Sequence, residues 1–101
     1  PLANRDEFYR SAIVKTIERV PGPEAQELLL AAATDFHGVV RANAYVSLGE
    51  RVKRDASERD RALPVLLNAI VAEAEPMARA FAVSVVGDLG AKEALWPTIR
   101  V

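Results

Sequence analysis

The sequence predicts an all-α fold, an α-solenoid of antiparallel helical hairpins with five to six helices. A helical phrase recurs three times, over residues 9–17, 40–49 and 78–87, and each copy has an arginine followed by small and aliphatic residues. A repeat spacing of roughly 20–50 residues is typical of solenoids, whose units bury their apolar faces by stacking. Half of the residues are hydrophobic but only 6% are aromatic, a composition that suits thin, closely packed helices. No stretch alternates apolar and polar residues for long, so we expect no sheet.

The first two helices are predicted at residues 5–20 and 23–33. In the first of them, apolar residues recur at steps of three and four, which places them on one face. The run Pro21-Gly22-Pro23 then ends this helix, and a proline is well suited to the first position of the next one. Thr34 or Asp35 is expected to end the second helix, and either residue can cap the third.

The third helix is predicted from about residue 37 to about residue 53. Gly49 lies within it and has two interpretations: a C-terminal cap, or a point of close approach by a neighbouring helix. The run 50–61 mixes acidic and basic side chains, and it predicts a helix end followed by a solvated loop. Because alternating charges cancel at long range, we expect its basic residues to form a solvated face. These residues are Arg51, Lys53, Arg54, Arg59 and Arg61.

The fourth helix is predicted at residues 59–74, with an apolar stripe along one face. Pro64 lies inside this range, and a proline removes a backbone donor and clashes with the preceding turn. The helix is therefore expected either to start near Leu63 or to be kinked at Pro64.

The fifth helix is predicted from Pro76 to about residue 89, because proline is favoured at the first helical position. Gly87 and Gly90 are expected to bracket its end. A further helical pattern begins at Lys92, and it predicts the start of a sixth helix.

The recurring phrase resembles the second helix of a HEAT repeat, in which an acidic residue and a short turn precede Val-Arg, small residues and Leu-Gly. The matching residues are Asp35, Val40-Arg41, Ala44 and Leu48-Gly49 in one copy, and Glu73 or Glu75, Ala78-Arg79, Ala82 and Val86-Gly87 in the next. The first copy departs from the pattern, because Tyr9 replaces the valine and no glycine follows Ile17. The resemblance covers nearly the whole chain. It implies one HEAT-like repeat domain over residues 1–101, which we expect to be a piece of a longer protein.

Arg10, Arg41 and Arg79 occupy the same place in the three copies of the phrase. A guanidinium can bridge to an acidic residue in the turn of an adjacent unit, while its stem covers apolar surface. We therefore expect these three arginines to be structural, with partner binding as the alternative role.

The sequence offers no recognisable catalytic or cofactor-binding constellation. It has no cysteine and a single histidine, His37, so neither a thiol nucleophile nor a metal site is expected. Ser47 and Ser84 lack the Gly-x-Ser-x-Gly elbow of a nucleophile. Gly87-Asp88-Leu89-Gly90 lacks the lysine and the spacing of a phosphate-binding loop. We therefore expect a protein that is not an enzyme and that has no cofactor.

The overall charge and hydropathy bear on the class of partner. The formal net charge is −1, which argues against nucleic-acid binding and against electrostatic attachment to a membrane. No apolar run approaches the roughly 18 residues that span a bilayer. Residues 1–20 are charged throughout, unlike a signal peptide, so a cytoplasmic location is favoured.

HEAT-like arrays bind other proteins, so the resemblance implies a non-catalytic protein–protein interaction or scaffold module. The alternative is a structural or regulatory segment attached to an enzyme, as in HEAT-like proteins related to lyases or DNA glycosylases. Fold alone does not choose between these functions. A protein partner is expected to contact the second helices of the hairpins. The candidate contact residues there are Lys15, Asn43, Val46, Ala80 and Ser84.

Two further expectations concern the aromatic residues and the terminal helices. Tyr45 and Phe81 are predicted to pack in the core, whereas exposure on one surface would make them anchors for a partner. Trp96 is expected to contribute packing. Apolar faces on the terminal helices predict self-association, because terminal repeats of a solenoid normally carry a polar cap.

Overall fold

Helices account for every regular element in the part of the chain that the structure describes. The computed structural model describes the backbone of residues 2–93 and the side chains of residues 6–90. The elements are α1 (Leu2–Ile17), α2 (Pro23–Ala32), α3 (Gly38–Arg54), a short 3-10 helix (Ala56–Glu58), α4 (Arg59–Ala72) and α5 (Pro76–Glu93). The predicted all-α class is therefore confirmed over residues 2–93, a range that contains no strand.

The helix α3 is central, because it packs against α1, α2, α4 and α5. Its inner side buries Val40, Ala44 and Leu48 completely. The leucines that α2, α3, α4 and α5 contribute to the core are Leu29, Leu48, Leu66 and Leu89, each fully buried. Since burying a leucine side chain is worth roughly 2 kcal/mol, a continuous apolar core holds these helices together. Within residues 2–93, none of the helices combines the length and the apolar character needed to span a lipid bilayer.

The turn between α1 and α2 depends on a glycine with a left-handed backbone. Gly22 has a φ of 107°, which residues with a side chain rarely adopt. Pro23 follows as the first residue of α2, as predicted. The helix α1 ends at Ile17, before the predicted end at residue 20. The backbone carbonyl groups of Glu18 and Gly22, which follow the helix, accept hydrogen bonds from Arg51.

The segment between α3 and α4 is shorter than the predicted solvated loop. Asp55 alone separates α3 from the 3-10 helix. Its carboxylate accepts hydrogen bonds from the backbone N–H of Ser57 at 3.1 Å and from the Ser57 hydroxyl at 2.7 Å, which starts the 3-10 turn. The helix α4 then begins at Arg59 with Pro64 inside it, so the alternative start near Leu63 is wrong.

The helix α5 continues through Gly87 and Gly90 to Glu93, so the predicted helix end at these glycines is wrong. Val86 and Leu89 are buried on the core side of α5. Their burial outweighs the roughly 1 kcal/mol that a glycine costs inside a helix.

The predicted sixth helix falls largely outside the described residues. Its expected first residue, Lys92, belongs to the last turn of α5. Trp96 and Pro97 lie beyond the described range.

Gly49 marks a close approach of α3 and α5. It is buried in α3, and a Cβ atom at this position would collide with Cγ1 of Val85 in α5. Because α3 continues to Arg54, the C-terminal cap interpretation is wrong and the close-approach interpretation is correct. A glycine is needed here, since a larger residue leaves no room for Val85.

We expect Gly49→Ala to lower the free energy of unfolding by about 1–2 kcal/mol, because overpacking the helix contact outweighs the gain in helix propensity. Gly87→Ala is the matched control, since Gly87 is also helical and its Cβ would meet no described atom within 4 Å. This control should raise the free energy of unfolding by about 0.5–1 kcal/mol. Urea titrations followed by circular dichroism measure both changes. Equal effects of the two substitutions would contradict the close approach.

Candidate functional site

Two arginine–carboxylate pairs join the long helices in the same way. Arg10 of α1 donates from Nε and Nη2 to the two oxygens of Asp35, at 2.7 and 3.2 Å. Arg41 of α3 makes the same forked contact with Glu73, at 2.7 Å for both bonds. Two parallel bonds fix the plane of the guanidinium as well as its position. Each pair therefore ties a long helix to the segment that precedes the next long helix.

Both carboxylates also shape the turns in which they lie. Asp35 accepts a hydrogen bond from the backbone N–H of His37 at 2.9 Å. Glu73 accepts one from the backbone N–H of Glu75 at 2.8 Å. Each acid thus stabilises a turn two residues downstream while it holds an arginine from an earlier helix. This double use explains why α3 and α5 each begin shortly after an acidic residue.

The third arginine of the recurring phrase makes no such pair among residues 6–90. Arg79 is exposed on α5, and no described acidic side chain forms an ion pair with it. The forked contact therefore occurs at Arg10 and Arg41 but has no counterpart at Arg79 in this range.

Tyr45 completes a buried network around Glu73. Its hydroxyl donates to Glu73 Oε1 at 2.6 Å, and the Glu73 side chain is only 2% exposed. Hydrogen bonding to the Arg41 guanidinium is the main reason that the pKa of Glu73 falls to about 2. Burial and the Glu73 carboxylate raise the pKa of Tyr45 to about 12. Tyr45 is buried, which confirms its predicted core position.

We expect acid to remove the contribution of Glu73 to stability as the pH falls from about 4.5 to about 2. The carboxyl group has a pKa near 4.5 in the unfolded chain and about 2 in the folded one. The contribution of Glu73 to the free energy of unfolding, on the order of 3 kcal/mol, is therefore complete above a pH of about 4.5 and is lost as the pH falls through about 2. Urea titrations at a series of pH values should show a smaller acid-induced loss for Glu73→Gln than for the wild type. Parallel losses would contradict this assignment.

A groove lies between α3 and α5, and we call it the α3–α5 groove. Its lining residues are Val46, Gly49, Glu50 and Lys53 from α3, and Phe81, Ser84, Val85 and Asp88 from α5. Its volume of about 230 Å³ is below the roughly 300–1,000 Å³ typical of small-molecule sites. The α3–α5 groove is therefore smaller than a typical small-molecule site.

Phe81 provides an apolar wall of the α3–α5 groove. It is 41% exposed, so its predicted core position is wrong. The core side of α5 is occupied by Ala78, Ala82 and Val86, whereas Phe81 lines the groove. An exposed aromatic ring beside a groove has the properties of a binding anchor.

Lys53 provides the charged rim of the same groove. Its Nζ lies 3.0 Å from Glu50 Oε2 and 3.3 Å from Asp88 Oδ2. Glu50 first, and Asp88 after it, raise the pKa of the Lys53 ammonium group. The rim therefore joins the two helices by a charge network.

The five candidate contact residues do not all lie at one site. Val46 and Ser84 line the α3–α5 groove. Asn43 is half-buried and donates to a backbone carbonyl one turn earlier in its own helix, at 3.0 Å. Lys15 is exposed on α1, and Ala80 is exposed on α5 outside the groove lining. The structure therefore brings together two of the five.

Arg51 is buried and joins three segments, so the predicted solvated position is wrong for this residue. Its side chain is 4% exposed and makes a forked contact with Glu58, at 2.7 Å for both bonds. It also donates to the backbone carbonyls of Glu18 at 3.2 Å and Gly22 at 3.0 Å. Because these acceptors are backbone groups, no side-chain pattern in the sequence identifies them. The one available signal is that a helix end leaves carbonyl groups in need of donors.

Two other members of the basic run lie in solvent as predicted, whereas Lys53 is half-buried, with a side chain that is 25% exposed, and Arg59 is of intermediate exposure. Arg54 and Arg61 have side chains that are 46% and 59% exposed, which confirms their solvated positions. The burial of Arg51 shows that one residue in a run of mixed charge can take a structural role while Arg54 and Arg61 face solvent.

The remaining residues with reactive side chains have structural surroundings. The buried hydroxyl of Ser47 donates to Glu18 Oε1 at 2.8 Å. His37 lies directly before α3, with Nδ1 3.3 Å from Glu7 Oε1. Among the residues that the structure describes, no group of three acidic or histidine side chains is arranged to hold a metal ion.

Comparisons with protein-family models, with curated proteins and with solved structures give no match for this chain.

Proposed function

We propose that this chain is a non-catalytic protein-binding module in which helical hairpins stack in the manner of HEAT repeats. The two forked pairs support the stacking, because Arg10 and Arg41 use the same position of the phrase to reach the next turn. In this arrangement α1, α3 and α5 are the second helices of successive hairpins. The packing of α3 against both α1 and α5 agrees with that order.

The proposed contact surface for the partner is the α3–α5 groove. The exposure of Phe81 carries this proposal, because an exposed ring loses favourable burial that a partner can restore. The Lys53, Glu50 and Asp88 side chains around it offer polar partners and a defined orientation. An aromatic anchor with a polar rim is the usual composition of a protein interface.

The proposal is tested by affinity capture with the purified chain from an extract of its source organism. We expect the wild type to retain a specific protein and Phe81→Ser to lose it, because the anchor ring is gone. Val71→Ser is the matched control, since Val71 is a 79% exposed apolar residue of α4 that does not line the groove.

Retention of the same protein by the wild type and the Val71→Ser control, but not by Phe81→Ser, would support the groove as the contact surface. Equal retention by all three chains would remove the groove from the proposal. Turnover of a small substrate by the purified chain, with no protein retained, would overturn the non-catalytic assignment.

A further inference from the structure

We draw no further inference here: the strongest candidate, the apolar surface patch that Tyr9 and Ile13 expose on α1 and Leu28 exposes on α2, carries none, because nothing in the structure shows what covers it.

Discussion

Replacing Arg51 with alanine is expected to lower the free energy of unfolding by about 4 kcal/mol, the largest effect that we expect for any single charged residue. The Arg51 side chain is 4% exposed and pairs with Glu58, whose side chain is 12% exposed. Removing one member of a buried ion pair leaves the other charge without compensation, which typically costs about 3–5 kcal/mol. The carbonyl groups of Glu18 and Gly22 also lose a donor. Urea unfolding followed by circular dichroism measures the change.

Arg61→Ala is the control for this prediction. Arg61 pairs with Glu27, but the two side chains are 59% and 51% exposed, and exposed pairs contribute less than about 1 kcal/mol. We therefore expect this substitution to change the free energy of unfolding by less than about 0.5 kcal/mol. Similar losses for Arg51→Ala and Arg61→Ala would show that Arg51 does not hold the α1–α2 turn against α3.

Replacing Glu73 with alanine is expected to lower the free energy of unfolding by about 3 kcal/mol. Its buried carboxylate accepts hydrogen bonds from Arg41, Tyr45 and the backbone N–H of Glu75. Without it, the buried Tyr45 hydroxyl and the Arg41 guanidinium lose their acceptor, and each unsatisfied group has a desolvation cost of about 1–3 kcal/mol. The Arg41 side chain is 20% exposed, so water can replace part of its lost hydrogen bonding. The expected loss therefore stays below the sum of the two largest desolvation costs.

Glu75→Ala separates this effect from a general loss of charge in the turn. Glu75 lies two residues away and is exposed. Its carboxylate accepts one long hydrogen bond, from the backbone N–H of Met77 at 3.4 Å. We expect a loss of less than about 1 kcal/mol for this control. If thermal and urea unfolding gave the same loss for both glutamates, the buried network would not be the source of stability.

Helix positions could be predicted from the sequence because their signals are local. Pro23 and Pro76 mark the starts of α2 and α5 as predicted, since proline favours the first helical position. Gly87 and Gly90 gave the wrong end for α5, because glycine is compatible with both a cap and a helix interior. Burial of the residues around Gly87 and Gly90 decides between a helix cap and a helix interior, and this burial depends on how the other helices pack.

The contacts of the charged residues could be predicted only in part. The recurrence of Arg10 and Arg41 was visible in the sequence, but several acidic residues were available to each. The choice of Asp35 and Glu73 follows from the packing of α1 and α3. The burial of Arg51 could not be predicted, because its acceptors include backbone carbonyls more than twenty-five residues earlier in the chain.

The candidate site was predicted less well than the fold. Val46 and Ser84 line the α3–α5 groove, but Phe81 was assigned to the core. A position in a repeated helical phrase gives the approximate face of a helix. Whether a ring on that face is covered depends on how closely the neighbouring helix approaches, and here Gly49 and Val85 set that distance.

The most direct test of the repeated forked contact is the coupling energy between Arg41 and Glu73, measured by a double-mutant cycle with Arg41→Met and Glu73→Gln. The same cycle with Arg10→Met and Asp35→Asn measures the coupling energy of the other pair. We expect favourable coupling in both cycles, about 2 kcal/mol for the buried pair of Arg41 and Glu73 and less for the more exposed pair of Arg10 and Asp35. Coupling in one cycle and none in the other would contradict the claim that the same contact joins successive long helices.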